Sequence, residues 1–213
     1  MRTSSRLPVL ALTGSSVIWG CTWLPMKYFA SAGLDGAAVL FIAYAALTLF
    51  ALPFLLRQLS QWRTQWLVMV GVFCFGGYAS IAFNLSVMYG DVVRMMSLFY
   101  MLPIWAVLGG IFFLGEKLTP MRVLAVACAL VGAWLILGGV DIFLQPPSWL
   151  YLLAISSGFA YAMNNIIFRA TPTLPVAPKI GLMFFSAAMM AGLLLLVGVQ
   201  HWLATVSPTL FLL

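Results

Sequence analysis

Residues 90–121 read GDVVRMMSLFYMLPIWAVLGGIFFLGEKLTPM, and their interpretation decides the class of the whole chain. From Met95 to Gly115, between Arg94 and Glu116, there is no charge. About 20 residues rising ~1.5 Å each span the hydrocarbon core of a bilayer as a helix. Pro103 sits inside the run, where a missing backbone N–H and the bulk of the ring bend a helix. Gly115-Glu116-Lys117-Leu118-Thr119-Pro120 then closes one helix and opens the next, since proline is tolerated in a first turn. A bent membrane helix with a cation at one end and a charged turn at the other points to a solute path.

Composition agrees. Of 213 residues, 64% are hydrophobic and 7% charged, against about 25% charged in soluble domains. The mean hydropathy is +1.12, so this is an integral membrane protein whose unit is the spanning helix. The net charge of +6 comes from basic residues scattered singly between apolar runs; that placement sets membrane orientation and gives no nucleic-acid signal. Cys21, Cys74 and Cys128 all lie inside apolar runs, spaced for neither zinc nor disulfides, and read as small packing residues. Arg2 and Arg6 before an apolar run imitate a signal peptide. The charge-free run Leu7–Met26 is too long for one, and is interrupted by Gly14, Gly20 and Pro25, so it reads as an uncleaved first helix.

Seven charge-free runs mark candidate spans: Leu7–Met26, Gly36–Leu56, Thr64–Gly90, Met95–Gly115, Val123–Val140, Ile142–Phe168 and Ile180–Gln200. With the N-terminus cytoplasmic, the inner side holds eight cations (Arg2, Arg6, Arg57, Arg63, Lys117, Arg122, Arg169, Lys179) and the outer side two (Lys27, Arg94). Asp35, Asp91 and Asp141 fall outside, and Glu116 inside. Trp202–Leu213 begins another apolar segment, which reads either as an amphipathic tail on the outer surface or, the favoured reading, as the start of an eighth helix of a longer chain.

Trp19, Gly20 and Lys27 recur as Tyr161, Ala162 and Arg169 at an offset of 142 positions. Repeats beginning at the first and sixth helices hold five helices each. An odd number forces the second to be inverted, the organisation of many secondary transporters. The expected fold class is therefore all-α: a polytopic helical bundle of inverted five-helix repeats, with seven spans and the start of an eighth present.

Leu102-Pro103, followed by Leu114-Gly115-Glu116-Lys117-Leu118-Thr119, resembles the drug/metabolite transporter superfamily, in particular its EamA-type permeases. The small-residue helix Ala125–Ala133, running on to Gly138, and the Trp19-Gly20 pair with Lys27 resemble that family too. The resemblance implies ten helices in two inverted repeats, a central cavity and alternating access. Residues 1–140 would form the first EamA-like repeat and 141–213 an incomplete second one. Members move amino acids, other metabolites or drugs across the bacterial inner membrane, mostly outward.

Candidate site residues each carry a plainer reading as packing. Thr13, Ser16, Gly20, Trp23 and Lys27 share one face of the first helix, beside Trp19 and Pro25. Small and polar residues there suit either close packing or a wet wall. Ser157, Tyr161, Asn164 and Phe168 repeat the pattern on the sixth helix, with Asn165 beside them. Amides inside a bilayer are costly unless hydrogen-bonded. Arg94 is either a snorkelling cation paired with Asp91 or a receptor for a carboxylate or phosphate; Lys27 shares that ambiguity. Ser97, Tyr100, Met101 and Trp105 follow Arg94 around the Pro103 bend, and Tyr78 and Asn84 offer walls from the third helix.

The function expected is secondary transport of a small organic metabolite. An intramembrane protease is the rival, but His201 is the only histidine and the four acids lie at helix ends or in loops, so general acid–base equipment is missing. A retinal sensor fails because Lys179 precedes its helix instead of lying inside it. No GxxxxGK[ST] stretch exists for a phosphate loop. No cofactor or metal is expected. The expected partners are the bilayer and a small-molecule substrate, with no nucleic acid; a homodimer and a coupling ion are both compatible with the sequence. A reporter fused after Arg63 or Lys179 is expected in the cytoplasm, and one after Asp35 or Asp141 outside. A periplasmic signal after Lys179 would overturn both the orientation and the count of seven.

Overall fold

The computed structural model describes residues 6–57, 65–136, 138–139 and 148–198. Ten α-helices run through them: α1 (Arg6–Gly20), α2 (Trp23–Ser31), α3 (Gly36–Arg57), α4 (Trp66–Gly71), α5 (Gly77–Tyr89), α6 (Val92–Phe99), α7 (Leu102–Leu114), α8 (Pro120–Ile136), α9 (Trp149–Ala170) and α10 (Val176–Val197). A π-helical turn, Val72–Gly76, joins α4 to α5. The pieces assemble into six helical segments long and apolar enough to cross a membrane, and α8 adds a shorter apolar helix of 17 residues. The seven runs thus all fall on helices. The expected start of an eighth, at Trp202–Leu213, lies outside the described residues.

Polar residues set where these helices begin. The Asp35 carboxylate accepts the Ala37 N–H at 2.8 Å and opens α3. Asp91 accepts the Arg94 N–H at 2.8 Å and opens α6; the Ser148 hydroxyl takes the Leu150 N–H and opens α9. Each side chain supplies an acceptor to N–H groups that a first turn leaves unpaired. Gly115 and Gly198 end α7 and α10 in the left-handed conformation, at φ +65° and +67°, which costs a residue without Cβ little.

Two spans are broken, not merely bent. The first stops at Gly20 and resumes at Trp23, because Pro25 has no N–H to offer the Cys21 carbonyl. Thr22 Oγ1 instead donates to Trp19 O at 2.7 Å. The face expected to join Ser16 to Lys27 is therefore discontinuous. The fourth span stops at Phe99 and resumes at Leu102, with Pro103 in the first turn of α7. Three further expectations change. Cys21, Cys74 and Cys128 are exposed at the surface of the bundle. α10 begins earlier than its apolar run, so Lys179 lies in its first turn and not in a loop. The third span holds an extra residue in its π-helical turn, where the Ser186 hydroxyl of α10 donates to Phe73 O.

Small residues let the helices approach closely, the usual solution in lipid. Along the α3–α10 pair a Cβ on Gly181 would come 2.9 Å from Ala51 Cβ, and one on Gly192 3.2 Å from the Phe41 ring. A Cβ on Gly77 would strike Ser186, and one on Gly109 would strike Ile166 Cδ1. α9 packs against α5, α6 and α7, whereas α8 buries no residue and α1 lies at the edge.

The tightest backbone approach is at Gly158, where a Cβ would sit 2.7 Å from Phe99 O. That atom is main chain and cannot swing away. Gly158→Ala is expected to cost about 1–3 kcal/mol, as overpacking does, and to lower the melting temperature in detergent. Gly14→Ala, with nothing within 4 Å of the new methyl, should leave it unchanged; equal effects of the two would remove Gly158 as the point of close approach.

Candidate functional site

The first span, just ahead of its interruption, meets the fourth span at its own. Between them lies a cleft of about 590 Å³ lined by Ser15, Ser16 and Trp19 of α1, Tyr161 of α9, and Phe99, Tyr100, Leu102 and Pro103 at the α6–α7 break. A second hollow of about 660 Å³, lined by Phe41, Phe73, Met189 and Leu196 among others, is larger but has almost wholly apolar walls. Ligand sites need a few polar groups to fix orientation, so the smaller cleft is the candidate.

An aromatic cluster forms its inner wall. The Trp19 ring stacks on Phe83 with centroids 5.6 Å apart and meets Phe99 at 5.9 Å and Tyr100 at 6.0 Å. Phe99 also contacts Phe83 at 4.5 Å and Tyr161 at 5.8 Å. Offset and edge-on geometries of this kind are worth about 0.5–1.5 kcal/mol per pair beyond buried area. Ser15 and Ser16 return their hydroxyl protons to Leu12 O at 2.9 and 2.8 Å, which leaves their oxygen lone pairs as acceptors. No lining residue is charged. The cleft can therefore hold a flat or apolar solute body against rings and accept hydrogen bonds from it.

The structure brings together Ser16, Trp19, Tyr100, Pro103 and Tyr161 from the sequence-derived set. The others are distributed around this centre. Trp23 and Met101 pack on the core of Phe83, Val87, Met95, Leu98 and Phe99. Tyr78 Oη and Ser156 Oγ share a 2.8 Å hydrogen bond between α5 and α9. Asn84 Nδ2 donates to Tyr44 Oη at 3.1 Å and to Ser80 O at 2.7 Å. Ser97 is buried and donates back to Val93 O. Trp105 meets Phe159 edge-on at 5.6 Å, and its buried Nε1 has no hydrogen-bond partner. Asn164 is buried at the glycine pair of the third span: its Nδ2 lies 3.4 Å from Met183 Sδ, and its Oδ1 lacks a partner. Asn165 is half-buried beside it.

The cations are engaged in different ways. Lys27 Nζ donates to Met88 O at 3.2 Å and Gly90 O at 2.6 Å, so it caps the C-terminal end of α5, where carbonyls and the helix dipole favour a cation. Arg94 Nη1 donates to Tyr151 Oη at 3.2 Å; about one and a half helical turns separate it from Phe99 and the cleft. Lys179, 1% exposed, donates to Thr171 O at 2.6 Å and Phe168 O at 3.4 Å and lies 5.1 Å from the Phe168 ring centroid.

Residues that sequence reasoning missed include Phe83, Phe99, Tyr44, Tyr151 and Ser186. Phe99 had a signal, standing beside Tyr100 and four positions before Pro103; the others look like ordinary membrane residues. Among the described residues no group of three His, Cys, Asp or Glu side chains could hold a metal ion.

Residues 6–138 match the EamA-like transporter family. The chain is also similar to the chloramphenicol-sensitive protein RarD of Pseudomonas aeruginosa, 28% identical over 240 residues that cover 97% of this chain and 75% of the relative. No solved structure gives a significant match. With a family match running from the first helix to the end of the fifth span, over more than half its length, the chain belongs to the EamA-like transporter family, within the drug/metabolite transporter superfamily.

Proposed function

We propose that this membrane transporter moves small organic metabolites, such as amino acids or drugs, by alternating access as a secondary transporter. It works in the bacterial inner membrane with a cytoplasmic N-terminus, and its spans belong to two inverted five-helix repeats. The observation that carries the reading is the meeting of two broken spans at one aromatic, uncharged cleft. Discontinuous helices that adjoin near a repeat interface are the usual place for a transported solute. Trp19 and Tyr161, 142 positions apart, face each other across Phe99. Arg94, nearer the outer face, supplies a cation for an anionic substrate group at the mouth of the path.

The direct test is flux of labelled solutes through the full chain in proteoliposomes. The panel includes acidic, neutral and zwitterionic metabolites, and chloramphenicol on account of the relative's name. Trp19→Ala is expected to reduce flux of the accepted solute at an unchanged protein level. Absence of flux for every solute class, or flux indifferent to Trp19, would sink the assignment of the cleft.

Pro103→Ala restores an N–H that can reach Phe99 O and rejoins α6 to α7. Transport should fall while the amount in the membrane stays similar; unchanged transport would reduce the break to a packing detail. For Arg94, charge-assisted hydrogen bonds are worth about 1.5–3 kcal/mol, or tenfold to a hundredfold in binding at about 1.4 kcal/mol per decade. Arg94→Gln should raise the half-saturation concentration of a carboxylate substrate by that order, leaving a neutral analogue little changed. Arg94→Lys should recover part of it. An equal response of acid and neutral analogue would leave Arg94 as an interface anchor held by Tyr151.

A further inference from the structure

We infer that the charged turn between α7 and α8 is a binding site for the headgroup of an anionic phospholipid. Arg122 Nη1 donates to Glu116 Oε2 at 2.6 Å, and Arg169 Nη2 donates to Glu116 Oε1. One carboxylate cannot neutralise two guanidinium groups, and exposed Lys117 follows it directly in the chain. Three cations and one acid leave a local charge of +2. The geometry also sorts them by depth, since the Glu116 side chain is 21% exposed while Arg122 and Arg169 are 47% and 53% exposed. Each guanidinium carries five N–H donors, so contact with Glu116 leaves donors pointing outward, in the planar fork that suits a phosphate.

The turn is held in place before any ligand arrives. Gly115 adopts φ +65°, and the Glu116 N–H donates to Gly110 O at 3.0 Å. A side chain at Gly110 would crowd Glu116 Oε2. Glu116 therefore fixes two arginines from different helices, α8 and the end of α9, at one level.

What decides between a lipid and a soluble anion is the surrounding surface. Phe112, Phe113, Leu118 and Met121 flank the cluster and are 79%, 71%, 56% and 75% exposed. A free phosphate would use the cations alone. A phospholipid covers both, its phosphate on the arginines and its acyl chains along the apolar flank. Basic residues at a membrane surface attract anionic lipid in this way.

The test uses the purified full chain in detergent, titrated with phosphatidylglycerol or phosphatidylcholine and read by native mass spectrometry. Wild type should bind phosphatidylglycerol at least tenfold more tightly. Lys117→Gln, which touches neither ion pair, and Arg169→Gln should each weaken it about fivefold, with phosphatidylcholine unchanged. Arg57→Gln, an exposed cation at the end of α3, should have no effect. Equal binding of the two lipids by wild type would overturn the inference. So would a loss in Arg57→Gln as large as in Arg169→Gln, which would mean a general field of the basic face. Displacement of phosphatidylglycerol by an equal concentration of inorganic phosphate would reassign the site to a soluble anion.

Discussion

Hydrocarbon offers no hydrogen bonds, so a proline within a span leaves a carbonyl whose usual donor is gone. At Pro103 the carbonyl concerned is that of Phe99, and much of the bundle is arranged around it. The chain breaks there into α6 and α7, which turns Phe99 and Tyr100 toward the first span. Gly158 brings α9 against the same carbonyl with no Cβ between, an approach at which a Cα–H···O contact is available. The break thus opens the cleft on one side and draws α9 in on the other. Pro25 makes the corresponding interruption in the first span, and Trp19 stands immediately before it.

Most hydroxyl groups follow the same rule of local satisfaction, whereas Trp105 Nε1 and Asn164 Oδ1 do not. Hydroxyls of Ser80, Ser86, Ser97, Ser157, Thr48 and Thr171 all return to carbonyls three or four residues back. Links between helices include Tyr78 with Ser156, Asn84 with Tyr44, Ser186 with Phe73 and Arg94 with Tyr151. Helix association in lipid depends on such contacts and on small residues, since burial away from water gives little between spans.

The helical, membrane-spanning class was legible from charge-free runs alone, because a bilayer imposes one length and one backbone solution. A bend near Pro103 was legible too, since its cause is a single residue; that it becomes a full break between Phe99 and Leu102 was not. What could not be read were the consequences of pieces meeting. The π-helical turn at Val72–Gly76 shifts the register of everything beyond it, Tyr78 and Asn84 included. Lys179 looked like a loop cation because apolar periodicity begins after it, yet two carbonyls and a ring accommodate its ammonium within the first turn of α10. Lys27 and Arg94 looked alike in sequence and differ in place: one closes a helix end, the other reaches a tyrosine. Trp19 and Tyr161 were paired through the repeat offset, but Phe99, the ring between them, belongs to no repeat pattern and shows only in three dimensions.

Lys179 has a consequence for assembly. An ammonium that is 1% exposed has given up its water, and that loss is tolerable only once Thr171 O and Phe168 O are in position to replace it. Those acceptors exist as a pair only when α9 has formed and ended. The seat of the first turn of α10 is thereby tied to the C-terminal end of α9.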